Sequence, residues 1–361
     1  MPGLSKKRVL IVDDAVVVRK VLTDSISHDP DLEVTATASN GRLALAKFPA
    51  VRPDIVLLDI EMPEMNGLET VRELRKIDAR VPIIMFSTLT ERGASSTLEA
   101  LGLGATDYVT KPSNTDPNAT LETVSQELIP KIRALCGISE SAARAKLLET
   151  TPVARPTLAR PPKMILPPQV IAVGVSTGGP DALARVMPAL PANLPVPVVI
   201  AQHMPAVFTK MLAARLSAKS ALPVRECVSG EMLTPGAAFL APGDLHMIVE
   251  RNGSGIRLQT HDGPKENFCR PSVDVLFRSV AKVFGSRTLA VILTGMGHDG
   301  LKGCEMLHAK GARILVQDEA TSVVWGMPGY VARAGLAEKI LPVDQVGPEI
   351  VRFANLQVGR G

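Results

Sequence analysis

The sequence predicts an α/β protein made of two doubly wound units in tandem. Three observations carry this reading. Five repeats of a short β-branched run followed by a longer helical pattern fill residues 8–135, a proline-rich interruption occupies 151–168, and the alternation resumes from about residue 169. A chain of 361 residues also exceeds the size at which one hydrophobic core keeps growing.

In the first unit, residues 6–130, the strand VLIVD precedes a helix at 15–27, LEVTATA precedes 40–50, and DIVLLD precedes 66–77. PIIMFS then precedes 91–103, and TDYVTK precedes a last helix at about 119–135. Alternation of this kind folds as a parallel sheet with helices on both faces. The stretch TPVARPTLARPPKMILPP holds six prolines in 18 residues. Proline fixes φ and lacks an N–H, so this stretch is neither a helix nor a central strand but an extended, semi-rigid linker. The whole of 131–168 is assigned to that linker; its seven Lys/Arg against two Glu give a local +5 that exceeds the chain's net +4. The second unit, residues 169–355, contains VIAVGVS, PVPVVIAQH, a Pro/Gly-punctuated middle at 221–265, and LAVILTG followed by a Gly-rich turn and a helix near 301–310. No short-period internal repeat is present.

Charge is balanced on both sides of the linker and aromatics are only 3%, which argues against a nucleic-acid binder. Cys136, Cys227, Cys269 and Cys304 form no CxxC pair, which fits reduced thiols in a cytoplasm and argues against a zinc site. Lys6, Lys7 and Arg8 precede only the short run VLIV, so neither a secretory leader nor membrane insertion is expected.

Asp13 and Asp14 end the first strand and Asp59 ends the third, which places three carboxylates on the carboxyl edge of a parallel sheet. Their mutual repulsion calls for a cation, and hard oxygen ligands suit Mg²⁺. Ser87 and Lys111, at the ends of the fourth and fifth strands, add a hydroxyl and an ammonium that can neutralise an incoming phosphoryl group. Any one such acid reads more readily as a solvated loop residue; four strand ends agreeing do not. DD at 13–14, DIEMPEMNG at 59–67, Ser87 and KP at 111–112 resemble the response-regulator receiver family. The resemblance implies a flavodoxin-like fold with Asp59 as phospho-acceptor. It also implies Mg²⁺ held by Asp14, Asp59 and the backbone carbonyl of Glu61, with Asp13 helping to position it. Ser87 and Tyr108 match the switch pair, Lys111 the phosphate contact, and Pro112 a proline often preceded by a cis peptide.

In the second unit, VGVSTGGP at 173–180 admits two chemistries. A dinucleotide site would need G-x-G-x-x-G and an acid at the end of the next strand, but that strand ends in Gln202 and His203. A hydrolase instead needs a serine, an imidazole to take its proton, and an acid to orient the imidazole. Ser176, His203 and Asp299 all fall at carboxyl strand ends. Spacing alone leaves a plain glycine turn equally open, and His298 competes with His203.

VGVSTGGP, VVIAQHMP, FCRPSVDVLF, AVILTGMGHDG and QDEATSVVWGMPG resemble the protein-glutamate methylesterase domain of bacterial chemotaxis over about 169–355. The resemblance implies a mostly parallel, doubly wound hydrolytic domain in which Ser176 is nucleophile, His203 base and then acid, and Asp299 the orienting carboxylate. Thr177 and the backbone N–H of Met296 match oxyanion donors; His298 has no matching role. The implied reaction is hydrolysis of glutamate γ-methyl esters on chemoreceptors, with deamidation of receptor glutamines as the companion activity. The implied partners are those receptors and a histidine kinase, and the esterase step is expected to need no cofactor. A non-catalytic adaptor and a transcriptional regulator are the rival readings; the second calls for a basic helix-turn-helix, which the neutral α/β text after 169 does not supply.

Overall fold

A computed structural model describes residues 6–111, 122, 124–138, 166–253 and 255–355. The chain separates into two compact units, Met1–Pro162 and Lys163–Gly361. No helix among the described residues is long and apolar enough to cross a membrane.

In the first unit, β1 (Lys7–Val12) leads to α1 (Val16–Ser27), β2 (Leu32–Ala38) to α2 (Gly41–Val51), β3 (Ile55–Asp59) to α3 (Gly67–Ile77), and β4 (Ile83–Thr88) to α4 (Glu91–Gly102). β5 (Asp107–Lys111) follows, then a π-helical turn Val124–Leu128 and α5 (Ile129–Leu135). All neighbouring strands are parallel, in the order β2-β1-β3-β4-β5. The run IVLLD of β3 is wholly buried, as a parallel strand covered on both faces must be. Helix starts follow capping chemistry: Asn66 and Glu69 form a reciprocal capping box at α3, and Asn40 and Thr90 cap α2 and α4. The chain leaves β1 toward β2 on one side and returns to β3 on the other, so the crevice between β1 and β3 is the switch point where a ligand site is expected.

One boundary differs from the sequence reading. α5 carries the first unit past residue 130: Ile132 is fully buried and the Arg133 guanidinium bonds Asp29 at 2.9 Å. The apolar i, i+3 face of IPKIRAL holds it against the sheet, and its basic residues are ion-paired into the unit, Lys131 to Asp107 at 2.9 Å and Arg133 to Asp29 and Asp31. Pro112 and most of the proline-rich stretch lie outside the described residues.

In the second unit, β6 (Val170–Val175) leads to α6 (Gly179–Val186), β7 (Val198–Gln202) to α7 (Ala206–Lys219), and two short strands follow, β8 (Val224–Glu226) and β9 (Ala238–Leu240). A hairpin of β10 (His246–Asn252) and β11 (Gly255–His261) precedes α8 (Val273–Val283). β12 (Thr288–Ile292), α9 (Leu301–Ala309), β13 (Arg313–Gln317), α10 (Met327–Arg333), β14 (Lys339–Leu341) and α11 (Val343–Ala354) complete it. Seven strands form one parallel sheet in the order β14-β13-β12-β6-β7-β9-β8. All six residues of β6 are buried, in keeping with its central place. β6 has β7 on one side and β12 on the other, so the carboxyl ends of these three strands meet at the switch point.

Candidate active site

Ser176 follows β6, His203 follows β7, and Asp299 lies in the turn after β12. The sheet brings them into one hydrogen-bonded chain. His203 Nδ1 lies 3.0 Å from Ser176 Oγ, and His203 Nε2 lies 2.8 Å from Asp299 Oδ2. An ionised carboxylate only accepts hydrogen bonds, so Nε2 carries a proton, and in the neutral ring Nδ1 presents its lone pair to the serine. The ring nitrogens are therefore used in the reverse order from the serine-protease arrangement.

The backbone fixes the serine closely. Gly178 stands at φ +76°, where an L side chain is strained, and it turns the chain from Ser176 into α6. Gly295 passes so near that a Cβ there would lie 2.8 Å from the Ser176 Cβ. The Gln202 amide donates to the Ser176 carbonyl at 3.0 Å, and Thr294 Oγ1 donates to the Thr177 carbonyl at 3.0 Å.

Asp299 is gripped by the start of α8. Its Oδ1 accepts from Asn267 Nδ2 at 2.8 Å, Ser272 Oγ at 2.9 Å, and the amides of Asp274 and Gly300 at 3.1 Å each. Its Oδ2 accepts from the Val273 amide at 2.6 Å besides His203. Burial alone would raise this carboxyl, but the His203 bond and charge and the helix amides hold it well below the usual range. Neighbouring Asp274 is raised, by burial first and then by the Asp299 charge, although the Gly303 amide opposes this. Of the two adjoining carboxyls, Asp299 is the one held below the usual range. At His203, burial pushes the imidazole down, but the Cys269 sulfur at 3.3 Å from Nδ1 and the Asp299 carboxylate outweigh it and raise it well above its usual value.

Thr177 is buried and Met296 half-buried beside the serine. Neither amide donates to an acceptor among the described residues. His298 instead packs edge-on against Tyr330, with ring centroids 5.8 Å apart, and takes no part in the serine–imidazole chain. Asn267, Cys269, Ser272 and Gln202 are the contacts that sequence reasoning left without a role. Ser272 carries a readable signal, since it caps α8 and accepts from the Val275 amide; Asn267 carries none.

In the first unit, Asp13 and Asp59 are buried and Asp14 is exposed, and one oxygen from each falls within 4.8 Å of the others. Lys111 Nζ bridges Asp13 and Asp59 at 2.8 Å each. Burial pushes the Asp59 carboxyl up to about 6; Lys111 opposes this and Asp13 reinforces it. Burial lowers the Lys111 ammonium, yet the two carboxylates outweigh it and its pKa is raised. Ser87 is buried and its hydroxyl donates to the Gly93 carbonyl at 3.2 Å. Tyr108 is buried, and burial pushes its phenol well above the usual value. The Glu61 side chain makes an exposed ion pair with Arg92 at 3.5 Å.

The family model for CheB methylesterase matches residues 171–350, and the model for the response regulator receiver domain matches residues 9–121. The chain is 47% identical over 351 residues to a protein-glutamate methylesterase/protein-glutamine glutaminase of Trichodesmium erythraeum, covering 97% of this chain and 99% of that one. It is 49% identical over 356 residues to the protein of the same name from a Nocardioides species, covering 98% and 96%. Among solved structures, the Thermotoga maritima CheB methylesterase catalytic domain is similar at 38% identity and a TM-score of 0.51, covering 52% of this chain and 99% of that one.

Proposed function

Because the chain belongs to the receiver-bearing protein-glutamate methylesterase/protein-glutamine glutaminase family, we propose that Ser176, His203 and Asp299 are the triad that carries out its hydrolysis. Ser176 Oγ attacks the γ-carbonyl carbon of a glutamate methyl ester as its proton passes to His203 Nδ1. Asp299 stabilises the imidazolium through the Nε2–H bond. The amides of Thr177 and Met296 receive the oxyanion. His203 then returns the proton to the departing methoxide, methanol leaves, and water activated by Nδ1 resolves the acyl-enzyme to a glutamate carboxylate. With a receptor glutamine the same steps release ammonia. What supports this reading is the unbroken chain from Ser176 Oγ to Nδ1 at 3.0 Å and from Nε2 to Asp299 at 2.8 Å.

In the receiver, Asp59 is the phospho-acceptor and Lys111 the contact that neutralises the phosphoryl oxygens, with Ser87 and Tyr108 as the responding pair. The all-oxygen donors of Asp13, Asp14 and Asp59 fit Mg²⁺, with the Glu61 carbonyl as a further ligand. The bound ion would supply charge neutralisation for phosphoryl transfer. The domains are then a receiver through about residue 138, a proline-rich linker, and a catalytic unit from about 169. The enzyme acts in the cytoplasm on chemotaxis receptors and takes its phosphoryl group from a histidine kinase.

The test is methanol release from methylated receptor membranes, with and without a small phosphodonor. Ser176→Ala is expected to abolish release. Wild-type release from this variant would return the second domain to an adaptor role.

A further inference from the structure

The spacing of the cysteines gives no hint of a metal site, yet folding sets one of them against the triad imidazole. Cys269 Sγ lies 3.3 Å from His203 Nδ1, the nitrogen that faces Ser176. We propose that Cys269 Sγ and His203 Nδ1 form a chelating site for a soft divalent metal, Zn²⁺ being its representative. Metal held there blocks hydrolysis by occupying the lone pair that must take the serine proton.

Three features argue for it. The first is the tautomer: Asp299 accepts from Nε2, so in the neutral ring it is Nδ1 that is unprotonated, and its direction is fixed. A histidine that binds a metal through one nitrogen almost always donates the other N–H to a carboxylate or carbonyl, and His203 already stands in that arrangement. The second is the bite. Zinc–sulfur bonds of about 2.3 Å and zinc–nitrogen bonds of about 2.0–2.1 Å, meeting at a tetrahedral angle, separate S and N by about 3.5 Å. The observed 3.3 Å needs only a small opening. The third is access. Cys269 and His203 are both partly exposed, whereas Cys227 and Cys304 are buried.

Asp299 is not the third ligand, because its two oxygens already accept six hydrogen bonds. Ser176 Oγ, 3.0 Å from Nδ1, is placed to supply an oxygen, and water completes the shell. His246 differs: one of its ring nitrogens is on the Pro264 carbonyl and the other accepts from the Ser272 amide. On binding, a zinc–sulfur and a zinc–nitrogen bond form, the thiol proton and, from a protonated ring, the Nδ1 proton leave to water, and nothing is oxidised or reduced. Blockade rests on the triad reading above; binding does not.

The experiment uses the full chain stripped of metal and titrated with Co²⁺, then Zn²⁺. A thiolate-to-cobalt charge-transfer band is expected, displaced by Zn²⁺, absent in Cys269→Ser and retained in Cys136→Ser. In parallel, Zn²⁺ is expected to stop methanol release, EDTA to restore it, and Cys269→Ser to raise the half-inhibitory Zn²⁺ concentration at least about tenfold. No cobalt–thiolate band, a band that survives Cys269→Ser, or zinc inhibition equal in both proteins overturns the proposal. A band that forms normally while Ser176→Ala still releases methanol condemns the triad reading and blockade, leaving the chelate itself intact.

Discussion

Changing Asp299 to asparagine tests the whole triad through one atom. The amide keeps the shape of the carboxylate but replaces one acceptor oxygen by an NH₂ donor. Four donors converge on Oδ1, from Asn267, Ser272, Asp274 and Gly300, so the amide oxygen takes that place. The NH₂ then faces the Val273 amide and His203 Nε2. Nε2 must now accept, the ring proton moves to Nδ1, and the atom 3.0 Å from Ser176 Oγ is no longer a base. A wrong tautomer costs serine hydrolases of other folds about ten-thousand-fold in kcat, or about 5 kcal/mol of barrier. The fold loses less. One amide donor left facing another costs about 1–3 kcal/mol, which lowers Tm by a few degrees in a domain of this size. The assay is methanol release under saturating methylated receptor, with circular dichroism confirming a folded variant. A folded Asp299→Asn protein within tenfold of wild-type kcat refutes the reasoning.

Asp59→Asn is expected to keep basal methanol release and lose its stimulation by a phosphodonor; full stimulation in the variant contradicts the receiver assignment. The folded Asp59 carboxyl titrates near 6 against an ordinary 3.8, so the folded first domain holds its proton longer than the unfolded chain. Stability from this group is complete below the ordinary value and is lost as pH rises to about 6; thermal melts in chelator are expected to show that slope in wild type and not in Asp59→Asn. Gly295→Ala drives a methyl group against the Ser176 Cβ and the Met327 sulfur, and about a hundredfold loss in kcat is expected from displacing the nucleophile, with kcat near wild type refuting the close approach. The first chemical step needs neutral His203, whose pKa is raised, so kcat/KM is expected to climb with pH above the ordinary imidazole range. Cys269→Ala in chelator is expected to move that climb to lower pH, and an unmoved profile refutes the influence of the sulfur.

The strands that carry chemistry were legible because central parallel strands must be apolar throughout. VLIV, IVLL, VIAVGV and TLAVI announce themselves, and the first polar residue after each marks the carboxyl edge. The short strands VRE, AFL and KIL at β8, β9 and β14 did not, since three residues at or near a sheet edge carry no period. The helix reaching Leu135 was legible, but the unit was ended at 130 because Lys131 and Arg133 read as linker charge, whereas they pair with Asp107 and Asp29 of the same unit. At the site, residue type and strand position nominated Ser176, His203 and Asp299, each after its own strand, but left a plain glycine turn open and His298 in competition, and it was the family motifs that favoured the three. Asn267 and Cys269 sit on a loop whose contacts depend on where α8 points, and that is set by packing beyond the reach of local text.

The order of the central sheet carries a consequence for how the enzyme is made. β6 is the first strand of its domain to be synthesised, but one flank waits for β7 and the other for β12, whose first residue is Thr288. A chain still attached to the ribosome after β7 has its alcohol and its imidazole but an open seam along β6 and no acid. Only when the turn past β12 emerges do both arrive, so β6 gains its second neighbour and the proposed triad its acid in nearly the same event, with β13 and β14 still to be added at that edge.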